Sequence, residues 1–220
     1  MKKILLCVLA CLMLLSMVGC DLLSSPNPED IRGNQTEGED KELSLGEVTG
    51  KKYESEFIGI GFTLPDGWEF YTDEEIKELN NYVGDIAGQD YLDLLKNATV
   101  IYDMAAASPS QTDNVIVTLE KKPNALLNNL NLAQTLETSF SVVKSSMENM
   151  GYRNLTHEIT TLTIDGQTFT AMHISGTLSG LTMHQTSIVM KCNGYLASFA
   201  VTTFDEAGTA PLLENLYLLK

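Results

Sequence analysis

The apolar residues repeat with a helical period in one long segment near the middle of the chain. Between residues 132 and 150 they recur at steps of four and three, which predicts a helix that buries one stripe of its surface. The stripe consists of Leu132, Leu136, Phe140, Val143, Met147 and Met150. Asn131 is a favourable N-cap residue, and Gly151 is typical of the position that ends a helix.

Elsewhere in the C-terminal half, apolar and polar residues alternate with the period of β-strands. The dipeptides Asp165-Gly166 and Asn193-Gly194 separate these runs and favour the two-residue turns of antiparallel hairpins. The predicted strands are residues 98–104, 114–120, 154–164, 167–177, 181–192 and 195–204. The last four strands are therefore expected to form two successive hairpins.

The stretch GIGFTLPDGW, residues 59–68, is predicted to be a strand that runs into a turn. A dinucleotide-binding loop would need a third glycine where Leu64 stands, and Pro65 disfavours the helix that should follow. The Pro-Asp-Gly sequence is instead typical of a β-turn. Gly59 and Gly61 are expected to allow close strand packing or a bulge. The predicted strand residues are Phe57, Ile58, Ile60, Phe62 and Leu64 before the turn, and Trp68, Phe70 and Tyr71 after it.

Two further helical regions are predicted from capping signals. Thr72 and Glu75 form a capping box at the start of one helix or two over residues 73–96, with a break inside that range. A last helix is expected to begin at Thr209, with Pro211 in its first turn. Its apolar residues are Leu212, Leu213, Leu216 and Leu219.

The order of these elements predicts the α+β class, in which helices pack on an antiparallel sheet. The same order, together with GFTLPDGW, IDGQTFTAMHISG and NGYLASFAVTTF, resembles the PsbP/Mog1-like proteins and the small bacterial lipoproteins of that fold. The resemblance covers nearly all of residues 53–220. It implies an α/β/α sandwich with a central antiparallel sheet and a role as an assembly or binding factor for other proteins. It supplies no catalytic residue.

The N-terminus is typical of an exported, lipid-modified protein. Two lysines precede an apolar segment at residues 4–18, which suits a signal peptide and is shorter than the roughly 20 residues of a membrane span. Gly19-Cys20 resembles the lipobox of bacterial lipoproteins, although Met17 stands where leucine is usual. The resemblance implies cleavage before Cys20 and diacylation of its thiol, which would hold the chain on the extracytoplasmic face of the cell membrane. The alternative is an ordinary signal peptide that contains a cysteine.

Composition divides the chain into three regions. Residues 1–19 are predicted to be the signal peptide, 20–50 a flexible tether, and 51–220 a single PsbP/Mog1-like domain. The tether is rich in Ser, Pro, Asn, Gly and acidic residues and contains no aromatic residue. Such a segment cannot bury enough apolar surface to fold by itself.

The charge balance limits the classes of partner. The chain has 14 Lys and Arg against 29 Asp and Glu, a formal net charge of −15. Without Lys2 and Lys3 the balance becomes 12 against 29, or −17. This acidity argues against nucleic acid, whose phosphates need a basic surface. The charge balance does not exclude a cationic partner, such as Ca²⁺.

Few residues indicate catalysis. Of the four cysteines, only Cys192 would remain unlipidated in the mature chain, so no intramolecular disulfide is available. Cys192 is expected to be a small core residue. No nucleophile elbow, HExxH motif or EF-hand loop occurs. His173 and His184 lie on consecutive predicted strands and, if opposite in register, could bind Zn²⁺ together with an acid. The favoured interpretation is a solvated sheet face, and neither a metal nor a cofactor is predicted.

Two residue clusters complete the sequence-based hypotheses. The acids Asp73, Glu74, Glu75, Glu78 and Asp85 suit a helix start, where they complement the helix dipole. The aromatics Phe62, Trp68, Phe70, Tyr71 and Tyr82 suit a core or, alternatively, a groove for a peptide or another apolar ligand. The sequence therefore predicts a non-enzymatic, lipid-anchored module that binds an envelope protein or a small ligand. The alternative is a cell-envelope hydrolase or a metal-dependent enzyme.

Overall fold

The computed structural model describes residues 42–81 and 88–220. The predicted signal peptide, Cys20 and most of the predicted tether therefore lie outside the described residues, as do Tyr82 and Asp85. Within the described ranges, no helix is both long enough and apolar enough to cross a membrane.

The described strands form two antiparallel sheets. The smaller sheet contains β1 (Glu47–Thr49), β2 (Lys52–Ser55), β3 (Ile60–Thr63) and β11 (Leu216–Leu218), hydrogen-bonded in that order. The larger sheet contains β4 (Glu69–Phe70), β5 (Val100–Ala107), β6 (Asn114–Lys121), β7 (Arg153–Ile164), β8 (Gln167–Leu178), β9 (Leu181–Cys192) and β10 (Tyr195–Thr203). Its strands are hydrogen-bonded in the order β4-β5-β6-β10-β9-β8-β7.

The helices of the same residues are short, with one exception. They are α1 (Asp73–Leu79), α2 (Gly88–Leu95), α3 (Asn124–Asn129), α4 (Leu132–Asn149) and α5 (Ala210–Leu213). The predicted helical region after Thr72 corresponds to α1 and α2. α3 was not predicted from the sequence, because its six residues are too few to show a helical period.

The long helix and both hairpins are confirmed. α4 has the predicted N-cap, in which the Asn131 side chain accepts a hydrogen bond from the Gln134 N–H at 3.0 Å. Asp165 and Gly166 have φ angles of 49° and 84°, so both central residues of the first hairpin turn are left-handed, as in a type I′ turn. The Asn-Gly turn of the second hairpin has the same form.

The larger sheet is covered on both faces. On one face, α4 buries Val143 and Met147 in a cluster with Met172 of β8, and α1 packs on β5. The smaller sheet covers the opposite face, where the ring centroids of Phe62 and Phe199 are 5.3 Å apart. The predicted α+β class with an antiparallel sheet is confirmed. The layer opposite the long helix consists largely of a second sheet, which α2 joins.

The C-terminal helix is shorter than predicted, and this part of the sequence prediction is wrong. α5 ends at Leu213, and the Asn215 side chain donates a hydrogen bond to the Pro211 carbonyl at 3.0 Å. Leu216 and Leu218 then lie on β11, which pairs with β3, and Leu216 is buried. The leucine spacing fits a helix, but backbone pairing with β3 and burial of Leu216 outweigh that local preference.

The strand that contains GIGF is also shorter than predicted. β3 begins at Ile60, because Gly59 has a φ of 86° and lies in the turn between β2 and β3. Gly61 allows the close packing that was expected. A Cβ atom at this position would lie within 2.4 Å of the Tyr217 ring on β11.

Ordered structure begins before residue 51, the expected start of the domain. Leu43 is 7% exposed and belongs to the main core, and Leu45 packs against the same core. β1 pairs with β2 across a tight hairpin. The polar composition of residues 20–50 concealed these contacts, because two leucines and one short strand contribute little to the average over 31 positions.

Candidate functional site

An open groove of about 510 Å³ lies between the β1–β2 hairpin and the segment that carries β4. Its apolar lining consists of Val48, Leu64, Trp68, Phe70 and Tyr71, and its polar lining includes Lys51, Glu69, Thr72 and Asp73. We call this feature the Trp68 groove. Val48 is 50% exposed, so the groove presents apolar surface to solvent.

The local sequence places the aromatic residues in the groove. The Trp68 N–H donates to the Pro65 carbonyl at 3.3 Å, and Gly67 completes the predicted turn with a φ of 81°. β4 then pairs with β5, and the Thr72 side chain caps α1 in the predicted capping box with Glu75. The turn and the cap therefore fix both ends of a short segment that brings three aromatic residues to the groove.

The structure separates the aromatic residues that the sequence analysis grouped. Trp68, Phe70 and Tyr71 line the groove and are partly buried. Phe62 is fully buried in the main core, where it cannot contact a ligand. The opposite wall, which includes Val48, was missed because it falls inside the predicted tether.

Both sheets end at the Trp68 groove. β1 is the first strand of the smaller sheet and β4 is the first strand of the larger sheet. Within the described residues neither strand has a partner on its outer side. The edge of a sheet carries backbone N–H and C=O groups that can pair with another extended chain.

The groove is acidic. Lys51 forms an ion pair with Asp66 at 2.5 Å, and this contact lowers the pKa of the Asp66 carboxyl. Glu69 and Asp73 line the groove, and Glu47 lies on β1. In the part of the chain that the structure describes, these three acids take part in no ion pair. The groove therefore carries negative charge that its own residues leave unneutralised.

A buried carboxyl group joins the start of the smaller sheet to the larger one. Asp103 lies in a bulge of β5, where the register with β6 shifts between Tyr102 and Met104. Its carboxylate accepts hydrogen bonds from the Tyr53 hydroxyl at 2.6 Å and from the Gly46 N–H at 2.8 Å. Burial raises the pKa of Asp103 to about 6, although both hydrogen bonds act in the opposite direction.

This contact holds one wall of the groove, because Gly46 directly precedes β1. Gly46 also packs closely on Tyr53, whose Cε2 atom would lie 2.2 Å from an added Cβ. Burial and the nearby Asp103 charge raise the pKa of the Tyr53 hydroxyl, so it stays a hydrogen-bond donor. The sequence signal for Asp103 is one acid inside the apolar strand VIYDMAAA, which alone does not reveal the partners of its carboxyl group.

The two histidines singled out from the sequence are neighbours but are not directly opposite. His173 is opposite Thr186, and His184 is opposite Ser175, so the pair is diagonal on one face. Their ring centroids are 5.8 Å apart. Burial, and then His184, lowers the pKa of His173, whose Nδ1 lies 3.0 Å from Thr186 Oγ1. Among the residues with a described structure, no group of three or more His, Cys, Asp or Glu is placed to hold a metal ion.

Two other sequence-based candidates have structural explanations. Burial, with a smaller effect of Asp103, raises the pKa of Cys192 to about 12, which keeps the thiol protonated at neutral pH. Cys192 packs against the main core, as expected for a small core residue. Asp73, Glu74 and Glu75 form the first turn of α1, where acidic side chains complement the helix dipole.

Comparison with known proteins found solved structures that are similar to this chain. No family model matches the chain, and no curated protein matches its sequence. One similar structure is cyanobacterial PsbP (CyanoP) from Synechocystis sp. PCC 6803, with a TM-score of 0.47 and 16% identity. The match covers 80% of this chain and 98% of that protein. PsbP-like proteins are also the ones that the sequence resembles.

A second similar structure is LpqN of Mycobacterium tuberculosis, which is described as involved in cell envelope biogenesis. Its TM-score is 0.39 at 13% identity, and the match covers 73% of this chain and 83% of LpqN. Both similarities concern the fold. The function of this chain must therefore be argued from its own residues.

Proposed function

We propose that this chain is a lipid-anchored module on the extracytoplasmic face of the cell membrane, which binds a segment of another envelope protein in the Trp68 groove and catalyses no reaction. The observation that carries the proposal is the groove itself. It combines exposed apolar surface, three aromatic residues and the free edges of two sheets. Its open shape suits a chain segment better than a small molecule, which is usually held in an enclosing pocket.

The membrane location rests on the sequence. The lipobox-like Gly19-Cys20 follows an apolar segment, and a polar stretch follows Cys20. A diacyl group on Cys20 would supply two chains, which suffices for stable anchoring. In cells that express the native chain, we expect it in the membrane fraction, and mass spectrometry should find a lipidated N-terminal cysteine. Cys20→Ala should release the chain, and an unmodified Cys20 in the native protein would contradict the anchor.

Binding at the groove can be tested with a photo-crosslinking residue in living cells. Val48, 50% exposed, lies in the groove, whereas Leu181, 58% exposed, lies at the β8–β9 turn near the other end of the larger sheet. These two positions form a matched pair of exposed aliphatic residues. We expect a specific crosslinked protein from position 48, none from position 181, and loss of the product with Trp68→Ala. The same products from both positions, or products that Trp68→Ala leaves unchanged, would contradict the proposal.

The alternative of a hydrolase or metal-dependent enzyme would have to use the histidine pair. The adjacent rings of the pair favour that alternative. Among the described residues, however, no third metal ligand is placed beside them. His157 provides a matched control, because it stacks on Phe140 on another part of the sheet. If Zn²⁺ raises the melting temperature of the native chain and of His157→Gln but not of His173→Gln, the metal-dependent alternative gains support over ours.

A further inference from the structure

We propose that the partner segment enters the Trp68 groove as an added β-strand with basic side chains, and that its backbone pairs with the free edge of β4. This inference rests on the proposed function, because it specifies the kind of segment that the same groove accepts. It follows from three features of the groove: its free backbone groups, its aromatic surface and its charge.

The free backbone groups are those of Phe70. The Tyr71 N–H donates to the Ala105 carbonyl at 2.9 Å, and Phe70 is opposite Ala106 in the register of β4 with β5. In an antiparallel pair the residues alternate between those that bond across the pair and those that point away. The N–H and C=O of Phe70 therefore point away from β5, towards the side where the larger sheet ends. An extended segment could pair there and would lie beside β1.

The aromatic surface lies beside this edge. Alternate side chains of an extended strand point to the same face, about 6.6 Å apart. One such side chain could pack on Trp68 while the neighbouring backbone pairs at Phe70. Pairing at a two-residue strand provides few hydrogen bonds. The affinity must therefore come largely from side-chain contacts, which makes the composition of the partner segment decisive.

The charge of the groove selects a basic segment. Glu69 and Asp73 line it, and Lys51, the one basic lining residue within the described ranges, is already paired with Asp66. The chain's own residues 21–41 are a poor occupant, because they contain six acids and two basic residues, a net charge of 2 − 6 = −4. A second copy would bring the same acidic surface. A cationic strand from another polypeptide is the occupant that the charges favour.

The chain contains one tryptophan, Trp68, so its fluorescence reports occupancy of the groove directly. The test uses the full mature chain with Cys20→Ala and the synthetic peptide acetyl-KVKVKVK-amide. We expect a saturable change in Trp68 emission that is weakened at least tenfold by 0.5 M salt or by the double variant Glu69→Gln, Asp73→Asn. The peptide EVEVEVE should produce no change. The control pair Glu206→Gln, Glu214→Gln removes two exposed acids that do not line the groove, and it should leave binding intact.

Backbone pairing is tested separately from charge. Two forms of the basic peptide carry N-methyl groups on alternate amides, so that each form keeps one edge able to donate. Strand addition predicts that one form loses binding at least tenfold while the other retains it, and that hydrogen exchange at the Phe70 amide slows in the complex. Equal binding by both forms, or binding that is insensitive to charge, would overturn the inference.

Failure of this inference can be told apart from failure of the proposed function. If no peptide binds but the crosslink at position 48 persists and depends on Trp68, the groove has a partner that is not a basic strand, and only the inference falls. If both the peptide and the crosslink are absent, the proposed function falls as well. The charge variants alter exposed residues, and circular dichroism would verify that they remain folded.

Discussion

The buried Asp103 carboxyl should make the stability of the domain depend on pH in a defined window. Its side chain lies in the interior with two hydrogen bonds, and burial raises its pKa from 3.8 to about 6. Asp103→Asn keeps the size of the side chain and removes its titration. Comparing the two chains across pH therefore isolates the contribution of this one group.

The magnitude follows from the pKa difference between the folded and unfolded chain. A change of about 2 units corresponds to about 3 kcal/mol, at 1.36 kcal/mol per unit. The folded chain retains this proton to higher pH than the unfolded chain. The stabilising contribution is therefore complete below pH 3.8, decreases as the pH rises towards 6, and is lost above that value.

The measurement is urea unfolding of both chains at a series of pH values between 3.5 and 7.5, followed by circular dichroism. The free energy of unfolding of Asp103→Asn, relative to the native chain, should rise by about 3 kcal/mol across this range. A constant offset of about 1 kcal/mol is expected from the altered hydrogen bonds. Tyr53→Phe removes a contact that lowers the pKa of Asp103, so it should move the decrease to higher pH.

Parallel stability curves for the native chain and Asp103→Asn would refute this reasoning. A difference that varies by less than about 0.5 kcal/mol over the series would mean that water reaches the carboxylate and that its burial has no energetic effect. If stability decreases at the same pH in the native chain and in Tyr53→Phe, the Tyr53 hydrogen bond does not lower the pKa of Asp103.

Three further predictions concern packing, capping and reactivity. Gly46→Ala should lower the free energy of unfolding by about 1–3 kcal/mol, because its Cβ would lie 2.2 Å from the buried Tyr53 ring, and an unchanged urea midpoint would contradict that contact. Thr72→Ala should cost about 1 kcal/mol through loss of the α1 cap, whereas Thr72→Ser should cost little in the same assay. Cys192 should react with a thiol reagent at pH 8 far more slowly in the folded chain than in urea, since burial raises its pKa to about 12, and equal rates would exclude that burial.

The elements that the sequence predicted correctly are those with local signals. The hairpin turns at Asp165 and Asn193 require left-handed backbone, which those residue types and the following glycines supply. The α4 stripe and its Asn131 cap lie within 20 consecutive residues, so tertiary context did not alter them. The turn, the short strand and the capping box between Pro65 and Glu75 were found for the same reason.

The elements that were missed depend on partners far away in the sequence. β11 exists because β3 offers it an edge more than 150 residues earlier in the chain, and no local pattern in Leu216–Leu218 reveals that edge. β1 pairs with the adjacent β2, but the residue that leads into it, Gly46, is held by Asp103, which lies 57 residues later in the chain. The aromatic half of the Trp68 groove was therefore visible in the sequence, and the opposite wall was not.

The pairing of β11 with β3 also constrains when the protein can fold. The smaller sheet begins at Glu47 and is completed by Leu216–Leu218. A chain that emerges from its N-terminal end therefore cannot complete this sheet until those residues have left the ribosome or an export channel. Until then, one apolar face of the larger sheet lies partly bare and is prone to aggregate. Folding of this layer is thus deferred until β11 has emerged, and deletion of Leu216–Leu218 should leave that apolar face without its last covering strand.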